Sequence, residues 1–376
     1  MPSLGIFVAE RLRHLIMSDA VSATVVAPVP WFPFKGSRFG AYGAWARMPH
    51  EESFEGNRVI HPRYPLIPKV GMTAAPLLLA SASYRAIRSI FGDLDGFDLI
   101  DAHYFYPDGV AAAMLGRWFR KPVVITGRGT DLNLIPRYHL ARRQIQWAMR
   151  NARGLVTVSE ALRGRLIELG ASPDKVKTLR NGVDLQKFRP LPRDQIRRDL
   201  GIEHPTLLSV GHLIERKGHH IAIESLTHLP EFQLIIVGSG PMQEELKNQA
   251  IRMNVVDRIR FVGAVNHSEL LRYYNAADCL VLCSSREGMA NVLLESIACG
   301  TPVAATAIWG TPEVIGSPDA GVLMEDRSAQ SLAKAVHRLF ESYPGWQRTR
   351  RWAEKFDWGA TTEGQLSLFE ACLADR

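Results

Sequence analysis

Residues 279–303 read Cys279-Leu-Val-Leu282-Cys-Ser-Ser-Arg-Glu287-Gly-Met-Ala-Asn-Val-Leu-Leu-Glu295-Ser-Ile-Ala-Cys-Gly300-Thr-Pro-Val303. An aliphatic run ends at Leu282, a polar turn follows, and an apolar segment with helical character begins near Ala290 and stops at Gly300. A second aliphatic run opens after Pro302. Strand, turn, helix and strand in that order make the repeating unit of a doubly wound parallel sheet.

The same alternation extends outward in both directions. Toward the C-terminal half, strands are expected at Thr206–Val210, Gln233–Val237, Ile259–Val262, Cys279–Leu282 and Pro302–Ala305; toward the N-terminal half, at Ala23–Ala27, Leu99–Ala102, Pro122–Thr126 and Leu155–Val158. Two successive Rossmann-like α/β layers follow. Between them Asn181-Gly-Val-Asp184 and Phe188-Arg-Pro-Leu-Pro192 lack any periodicity and read as an interdomain hinge. The expected division is 1–184, 185–358, and a C-terminal helix over 359–376 that packs back on the first domain.

The N-terminal domain opens unusually. Its sequence runs from Pro2-Ser-Leu-Gly5 straight into the helix Phe7–Met17, where such a domain ordinarily begins with a buried strand. Either the start lies inside a longer product, which is the favoured reading, or the sheet folds with a gap.

At 376 residues and 46% hydrophobic content, the chain is long enough for two independently cored domains. Its four cysteines, Cys279, Cys283, Cys299 and Cys372, follow neither a disulfide nor a zinc spacing, and Cys279 and Cys283 belong to a buried strand. A reducing cytoplasm is expected. No secretory signal is expected at the N-terminus. The apolar stretch Met72–Ala82 is too short to span a bilayer.

The net charge of +7 is unevenly divided: residues 1–184 carry 24 Lys/Arg against 15 Asp/Glu, and residues 185–376 carry 21 against 23. The basic half reads either as a face for anionic lipid or a pyrophosphate-bearing acceptor, or as a solvated surface. Arg137, Arg142, Arg143, Arg150 and Arg153 fit one exposed helix face on either reading.

Chemistry concentrates in the quoted stretch. The N–H groups at the helix start, Met289, Ala290, Asn291 and Val292, form a site for a diphosphate. Glu295 sits among Leu293, Leu294, Ile297 and Ala298, and a carboxylate in such company needs a hydrogen-bond partner; a ribose diol would supply one. Glu287 would then face the group beyond the diphosphate, the transferred sugar. Upstream, Val210-Gly-His-Leu-Ile-Glu-Arg216-Lys217-Gly218 leaves a strand, turns at Gly211, and presents two cations before a helix, suited to neutralising a leaving diphosphate. Val237-Gly-Ser-Gly-Pro241 reads as a close-packing turn, Gln243 standing where a dinucleotide fingerprint has its third glycine. Gly263 ends the next strand, where backbone groups could pair with a base.

These residues, over nearly the whole chain, resemble the retaining group-one glycosyltransferases of family four, relatives of bacterial glycogen synthase and mannosyltransferases and of members that assemble exopolysaccharide or lipopolysaccharide. The family's pair of glutamates eight apart falls on Glu287 and Glu295, its donor cations on Arg216 and Lys217, and its interdomain segment on Asn181–Asp184. The resemblance implies the GT-B fold, two Rossmann-like domains facing a cleft that closes on the substrates. It also implies that Glu287 contacts the donor sugar, Glu295 the ribose, and Arg216 and Lys217 the phosphates. Transfer with retention follows from it, the leaving phosphate itself taking the acceptor proton.

On the acceptor side, Thr126-Gly-Arg128-Gly-Thr-Asp131 stands where many members carry His-Gly-x-Asp, so Arg128 occupies the position of the common histidine. His103, in Asp101-Ala-His-Tyr-Phe-Tyr-Pro-Asp108, reads either as an acceptor-orienting group or as a structural imidazole. Gly5 is what remains of the family's glycine-containing loop. Asp93-Leu-Asp95 matches a metal-binding Asp-x-Asp pattern but reads as a solvated turn, and Arg216 and Lys217 can take a metal's electrostatic role.

The expected function is metal-independent, retaining transfer of a hexose from a UDP- or GDP-linked donor to a saccharide or lipid-linked acceptor in cell-surface polysaccharide synthesis. No cofactor and no nucleic acid is expected. The protein is expected in the cytoplasm, peripheral at the inner face of the plasma membrane. A catalytically impaired or truncated homologue acting as a partner, and a nucleotide-dependent oxidoreductase resting on Gly238 and Gly240, are the alternatives.

Overall fold

The computed structural model describes residues 5–65, 71–92 and 96–374, with the backbone alone at Ile6. Pro2–Leu4 and the Asp93–Asp95 pattern lie outside the described residues. The chain divides into two compact units, one of Met1–Leu179 with Ala360–Arg376, the other of Arg180–Gly359.

In the first unit the elements are α1 (Ile6–Ile16), β1 (Val25–Val26), β2 (Val29–Trp31), α2 (Gly40–Arg47), β3 (Glu51–Phe54), β4 (Asn57–Ile60), β5 (Arg63–Pro65), α3 (Ala75–Phe91), β6 (Ile100–His103), α4 (Val110–Phe119), β7 (Val123–Gly127), α5 (Thr130–Asn133), α6 (His139–Asn151), β8 (Gly154–Thr157), α7 (Glu160–Glu168) and β9 (Val176–Thr178). Among the described residues its strands form three sheets. The largest is parallel, in the order β6-β7-β8-β9; β1-β4-β3 and β2-β5 are separate. The first regular element among the described residues is α1.

One component was not anticipated. The pairing of β3 with β4 is antiparallel, Phe54 opposite Asn57, across the two-residue turn Glu55-Gly56 with φ of 50° and 82°. Two consecutive positive φ values are the hairpin turn that matches strand twist, and a glycine at its second position makes it accessible. Both strands carry too many charged residues to read as aliphatic runs.

The second unit contains α8 (Arg193–Leu200), β10 (Thr206–Val210), α9 (His219–Ser225), β11 (Gln233–Val237), α10 (Gln243–Arg252), β12 (Ile259–Gly263), α11 (His267–Ala276), β13 (Cys279–Leu282), α12 (Asn291–Ala298), β14 (Val303–Thr306), α13 (Thr311–Val314), β15 (Gly321–Met324), α14 (Ala329–Glu341) and α15 (Trp346–Ala353). All six strands are parallel, in the order β12-β11-β10-β13-β14-β15. Counted along the unit this is 3-2-1-4-5-6, the order of a doubly wound nucleotide-binding sheet. Leu207, Leu234, Ile236, Cys279, Val281 and Ala304 form its buried centre with α9 and α14 packed against them. The thiols of Cys279 and Cys283 lie inside this core, where burial pushes their pKa upward.

The last helix, α16 (Trp358–Ala374), serves the first unit from Ala360 onward. Leu368 and Cys372 join Val124, Val156 and Leu179 in a buried cluster there. A Cβ on Gly154 would stand 3.1 Å from Leu368, so a small residue at this strand position admits the helix.

Candidate active site

In the second unit, chain connectivity reverses between β10 and its neighbour β13. At such a switch point the loops leaving the two strands diverge, and open α/β sheets bind ligands beyond their carboxyl ends there. The loop after β10 carries Gly211, Arg216 and Lys217; the loop after β13 carries Ser284 and Glu287. Gly218, at φ 74°, brings the two loops into contact: a Cβ there would lie 2.1 Å from the Cys283 carbonyl oxygen. The turn after β11 packs equally tightly, since a Cβ on Gly238 would lie 1.8 Å from the Gly211 carbonyl oxygen. Gly240 similarly abuts Leu213. The two glycines thus answer to close packing, which removes the motif on which the oxidoreductase alternative rested.

Glu287 is the hub of the contact. Its Oε1 accepts from Lys217 Nζ at 2.7 Å and from Ser284 Oγ at 2.8 Å, with Arg216 Nη1 at 3.6 Å. Arg216 also donates to the Arg286 carbonyl at 2.9 Å, and its own carbonyl accepts from Ser285 N–H at 2.8 Å. Arg327 donates to the Cys283 carbonyl at 2.8 Å and to Glu215 Oε1 at 2.9 Å, so it too joins the two loops. The carboxylate has only 10% of its side chain exposed, so these charge-assisted bonds fix its direction.

Beyond Glu287 the chain turns into α12. Ala290, its N-cap, has extended φ/ψ and provides no side-chain cap to the first turn. Met289, Ala290 and Asn291 are buried, and Asn291 Oδ1 accepts from Asn181 Nδ2 at 2.9 Å, tying the Asn181–Asp184 segment to the helix start. That segment is also held by Val183 N–H donating to the Phe356 carbonyl at 2.8 Å, and by Arg350, whose guanidinium donates to the Leu185 and Phe188 carbonyls.

Glu295 is buried on the second turn, 6% exposed. Its Oε2 accepts from Tyr274 Oη at 2.7 Å. The partner that burial demands is therefore supplied from within the chain, which corrects the inference that burial alone calls for a ligand. Burial and the adjacent carboxylate drive the Tyr274 phenol pKa well upward, so the phenol stays a donor. Gly263, at φ 84°, closes β12, and its carbonyl accepts from Gly238 N–H at 2.8 Å.

The first unit holds its own polar group. Arg128 Nη2 is 3.1 Å from His103 Nδ1, and His103 Nε2 is 3.5 Å from Asp101 Oδ2, which also accepts from Gln365 Nε2 at 2.8 Å. Arg11, 1% exposed, donates to the Leu179 carbonyl at 3.0 Å. Burial sets the titration of this group. It lowers His103 well below its ordinary value, with Arg128 and Arg11 adding to the effect; it lowers Arg11 to about 9 and raises Asp101 to about 6. A neutral His103 is the result. The carboxylate of Asp131, expected on the acceptor side, accepts from the N–H groups of Phe105 at 2.8 Å, Arg128 at 3.1 Å and Gly129 at 2.8 Å. It holds the loops after β6 and β7 together. Gly5, at φ 112°, is the N-cap of α1.

Tyr274, Ser284, Asn181, Arg327, Arg350 and Arg11 thus belong to these constellations without having been assigned a role from sequence. Ser284 stands three residues before Glu287 and Asn181 opens the hinge segment, so local spacing pointed toward both. Nothing local marks Tyr274, twenty-one residues from its partner; the only signal was that a buried carboxylate needs a donor. Among the described residues, no group of three or more His, Cys, Asp or Glu could hold a metal ion, and no helix is long and apolar enough to cross a membrane.

Comparison with known proteins agrees with the doubly wound α/β fold. A family model described as "Glycosyl transferases group 1" matches residues 192–356, and one described as "Glycosyltransferase Family 4" matches residues 36–187. A Bacillus subtilis (strain 168) protein named as a teichuronic acid biosynthesis glycosyltransferase, TuaC, is 30% identical over 348 residues, covering 90% of this chain and 85% of its own. Among solved structures, sucrose-phosphate synthase from Thermosynechococcus elongatus superposes with a TM-score of 0.76 at 23% identity, covering 88% of this chain and 87% of that one. Anabaena Alr3699/HepE in complex with UDP-glucose gives a TM-score of 0.70 at 19% identity, covering 99% and 96%.

Proposed function

The chain belongs to the group 1, family 4 glycosyltransferases, and from that premise we propose that it moves a hexose from a nucleoside diphosphate sugar to a saccharide or lipid-linked acceptor, with retention at the anomeric carbon. One observation carries the reading. The start of α12 has no side-chain cap, and it is bracketed by Glu287 with its two cations on one side and by buried Glu295 on the other.

On this reading the diphosphate lies at the helix start, with the ribose on Glu295 and the hexose toward Glu287. As the bond from anomeric carbon to phosphate oxygen breaks, negative charge grows on the leaving diphosphate. Lys217 and Arg216, already held in place by Glu287 and the Arg286 carbonyl, stabilise that charge without reorganising. The acceptor oxygen bonds to the same face of the carbon, and its proton passes to the leaving phosphate, which balances the step without a protein base. The two cations take the role a metal ion would otherwise fill. A UDP- or GDP-linked donor fits this account, and the HepE structure with UDP-glucose supports the uridine choice.

Cell-surface polysaccharide assembly is the proposed context, with the protein cytoplasmic and peripheral at the membrane. The basic first half supports it: Arg142, Arg143 and Arg150 are exposed on α6, flanked by exposed Arg137 and Arg153. Thermal unfolding with UDP, GDP and ADP tests the donor half of the proposal, since a ligand that binds the native state raises the midpoint by mass action. A rise with UDP or GDP is expected. No rise with any of the three favours the non-catalytic alternative.

A further inference from the structure

Residues 29–47 of the first unit carry a surface that the donor chemistry does not use. Trp31 and Phe34 are 58% and 55% exposed, Tyr42 is exposed beside them, and none is needed for the core. They are not loose side chains. Phe32 touches the rings of Phe34, Phe39 and Tyr42 at centroid distances of 5.9, 5.4 and 5.3 Å; Phe34 stacks on Phe39 at 5.3 Å, and Tyr42 meets Trp45 edge-on at 5.1 Å. The aromatic group is anchored from below, because Arg63 on β5 donates to the carbonyls of Trp45 at 3.0 Å and of Met48, while β2 pairs with β5.

Its charge is of one sign. From Ala20 to His50 the sequence contains no Asp or Glu, but it contains Lys35, Arg38 and Arg47, all exposed. Arg38 lies over the Phe39 ring at 4.8 Å. The carboxylates that follow along the chain are engaged elsewhere, Glu51 with Arg58, Glu52 with His61 and Glu55 with Arg13. Amphipathic rings beside unopposed cations suit the boundary between headgroups and acyl chains of an anionic bilayer, where tryptophan and tyrosine settle and each basic residue adds attraction.

We infer that Trp31, Phe34 and Tyr42 with Lys35 and Arg38 form the element through which this protein docks on an anionic lipid surface. The inference rests on the proposed peripheral location and gives it an address, distinct from the arginines of α6.

Co-sedimentation with phosphatidylcholine vesicles, with and without phosphatidylglycerol, tests it, using the wild type and three paired variants: Trp31→Ser/Phe34→Ser, Lys35→Gln/Arg38→Gln, and Arg142→Gln/Arg143→Gln on α6. The wild type is expected to sediment with phosphatidylglycerol vesicles only, and less in high salt. The aromatic pair should lower partitioning about tenfold or more. The Lys35/Arg38 pair should lower it about twenty-five-fold, near fivefold per cation. The α6 pair should lower it less than either. An unchanged shift of the unfolding midpoint with nucleotide shows that each variant is folded. Wild type that binds while both patch variants bind equally well overturns this inference and leaves the peripheral reading standing; wild type that never sediments overturns both. Self-association that the aromatic pair abolishes, without lipid binding, assigns the surface to a second copy and also overturns the inference.

Discussion

Replacing Tyr274 by Phe removes the bond that its phenol donates to Glu295. The phenol donates to Glu295 Oε2 at 2.7 Å inside the second unit, and its ring packs against Phe188 with centroids 6.1 Å apart. The substitution keeps that ring, so no cavity opens and only the hydrogen bond to a buried carboxylate is lost. Such bonds contribute about 1.5–3 kcal/mol. A unit of the size of Arg180–Gly359 shifts its melting temperature by about 2–4 °C per kcal/mol, so its transition should fall by about 3–12 °C. Calorimetry on the full chain reads this directly. Donor affinity should fall as well, because a carboxylate released from Tyr274 samples more rotamers than the one that meets ribose. A cycle with Glu295→Gln separates the two residues' effects, and the double variant should lose clearly less than the sum of the singles. An unchanged midpoint together with additive effects in the cycle would refute the idea that Tyr274 positions Glu295.

Other consequences are open to simple assays. Lys217→Met removes the cation bonded to Glu287 at 2.7 Å and should lower turnover by about a hundredfold or more in a donor-hydrolysis or transfer assay, comparable to losing one preorganised charge-stabilising donor. Asp131→Asn presents an amide to three backbone N–H groups that need an acceptor; a urea unfolding curve should show a loss of about 2–3 kcal/mol, while nucleotide binding by the other unit is unaffected. His219, buried and 2.8 Å from Ser209 Oγ, has its pKa lowered from 6.5 to about 4, mainly by burial and then by Lys217. A depressed folded-state pKa means stability that is complete above 6.5 and lost as pH falls toward 4. The loss is about 3 kcal/mol at most, visible in unfolding midpoints across that range and absent in His219→Gln.

Much of the second unit was legible because its strands are aliphatic and buried on both faces. Thr206–Val210, Gln233–Val237 and Cys279–Leu282 fall where the aliphatic runs placed them. Gly321–Met324 escaped notice: it is short, only half buried, and opens on a glycine whose Cβ would lie 1.9 Å from the Val303 carbonyl oxygen. In the first unit the strands β2 to β5 are three or four residues long and carry Pro30, Glu51, Glu52, Arg58 and Arg63, so no aliphatic periodicity marks them. The site divides in the same way. Glu287, Arg216 and Lys217 announce themselves as charges in polar turns after strands. Tyr274, Arg327 and Arg350 act across long sequence separations, and only folding brings them to their partners. For Asp131 the motif marks the acceptor side but does not foretell that its oxygens accept from three backbone amides.

The decisive measurement is the calorimetric affinity of the preferred nucleoside diphosphate for the wild type and for Glu295→Gln, at one pH and salt concentration. Ribose hydroxyls donating to a buried carboxylate predict a loss of about tenfold to a hundredfold on neutralising it. Equal affinities for the two proteins would mean that the nucleoside does not lie on Glu295, and the arrangement of sugar, diphosphate and ribose along the start of α12 would have to be abandoned.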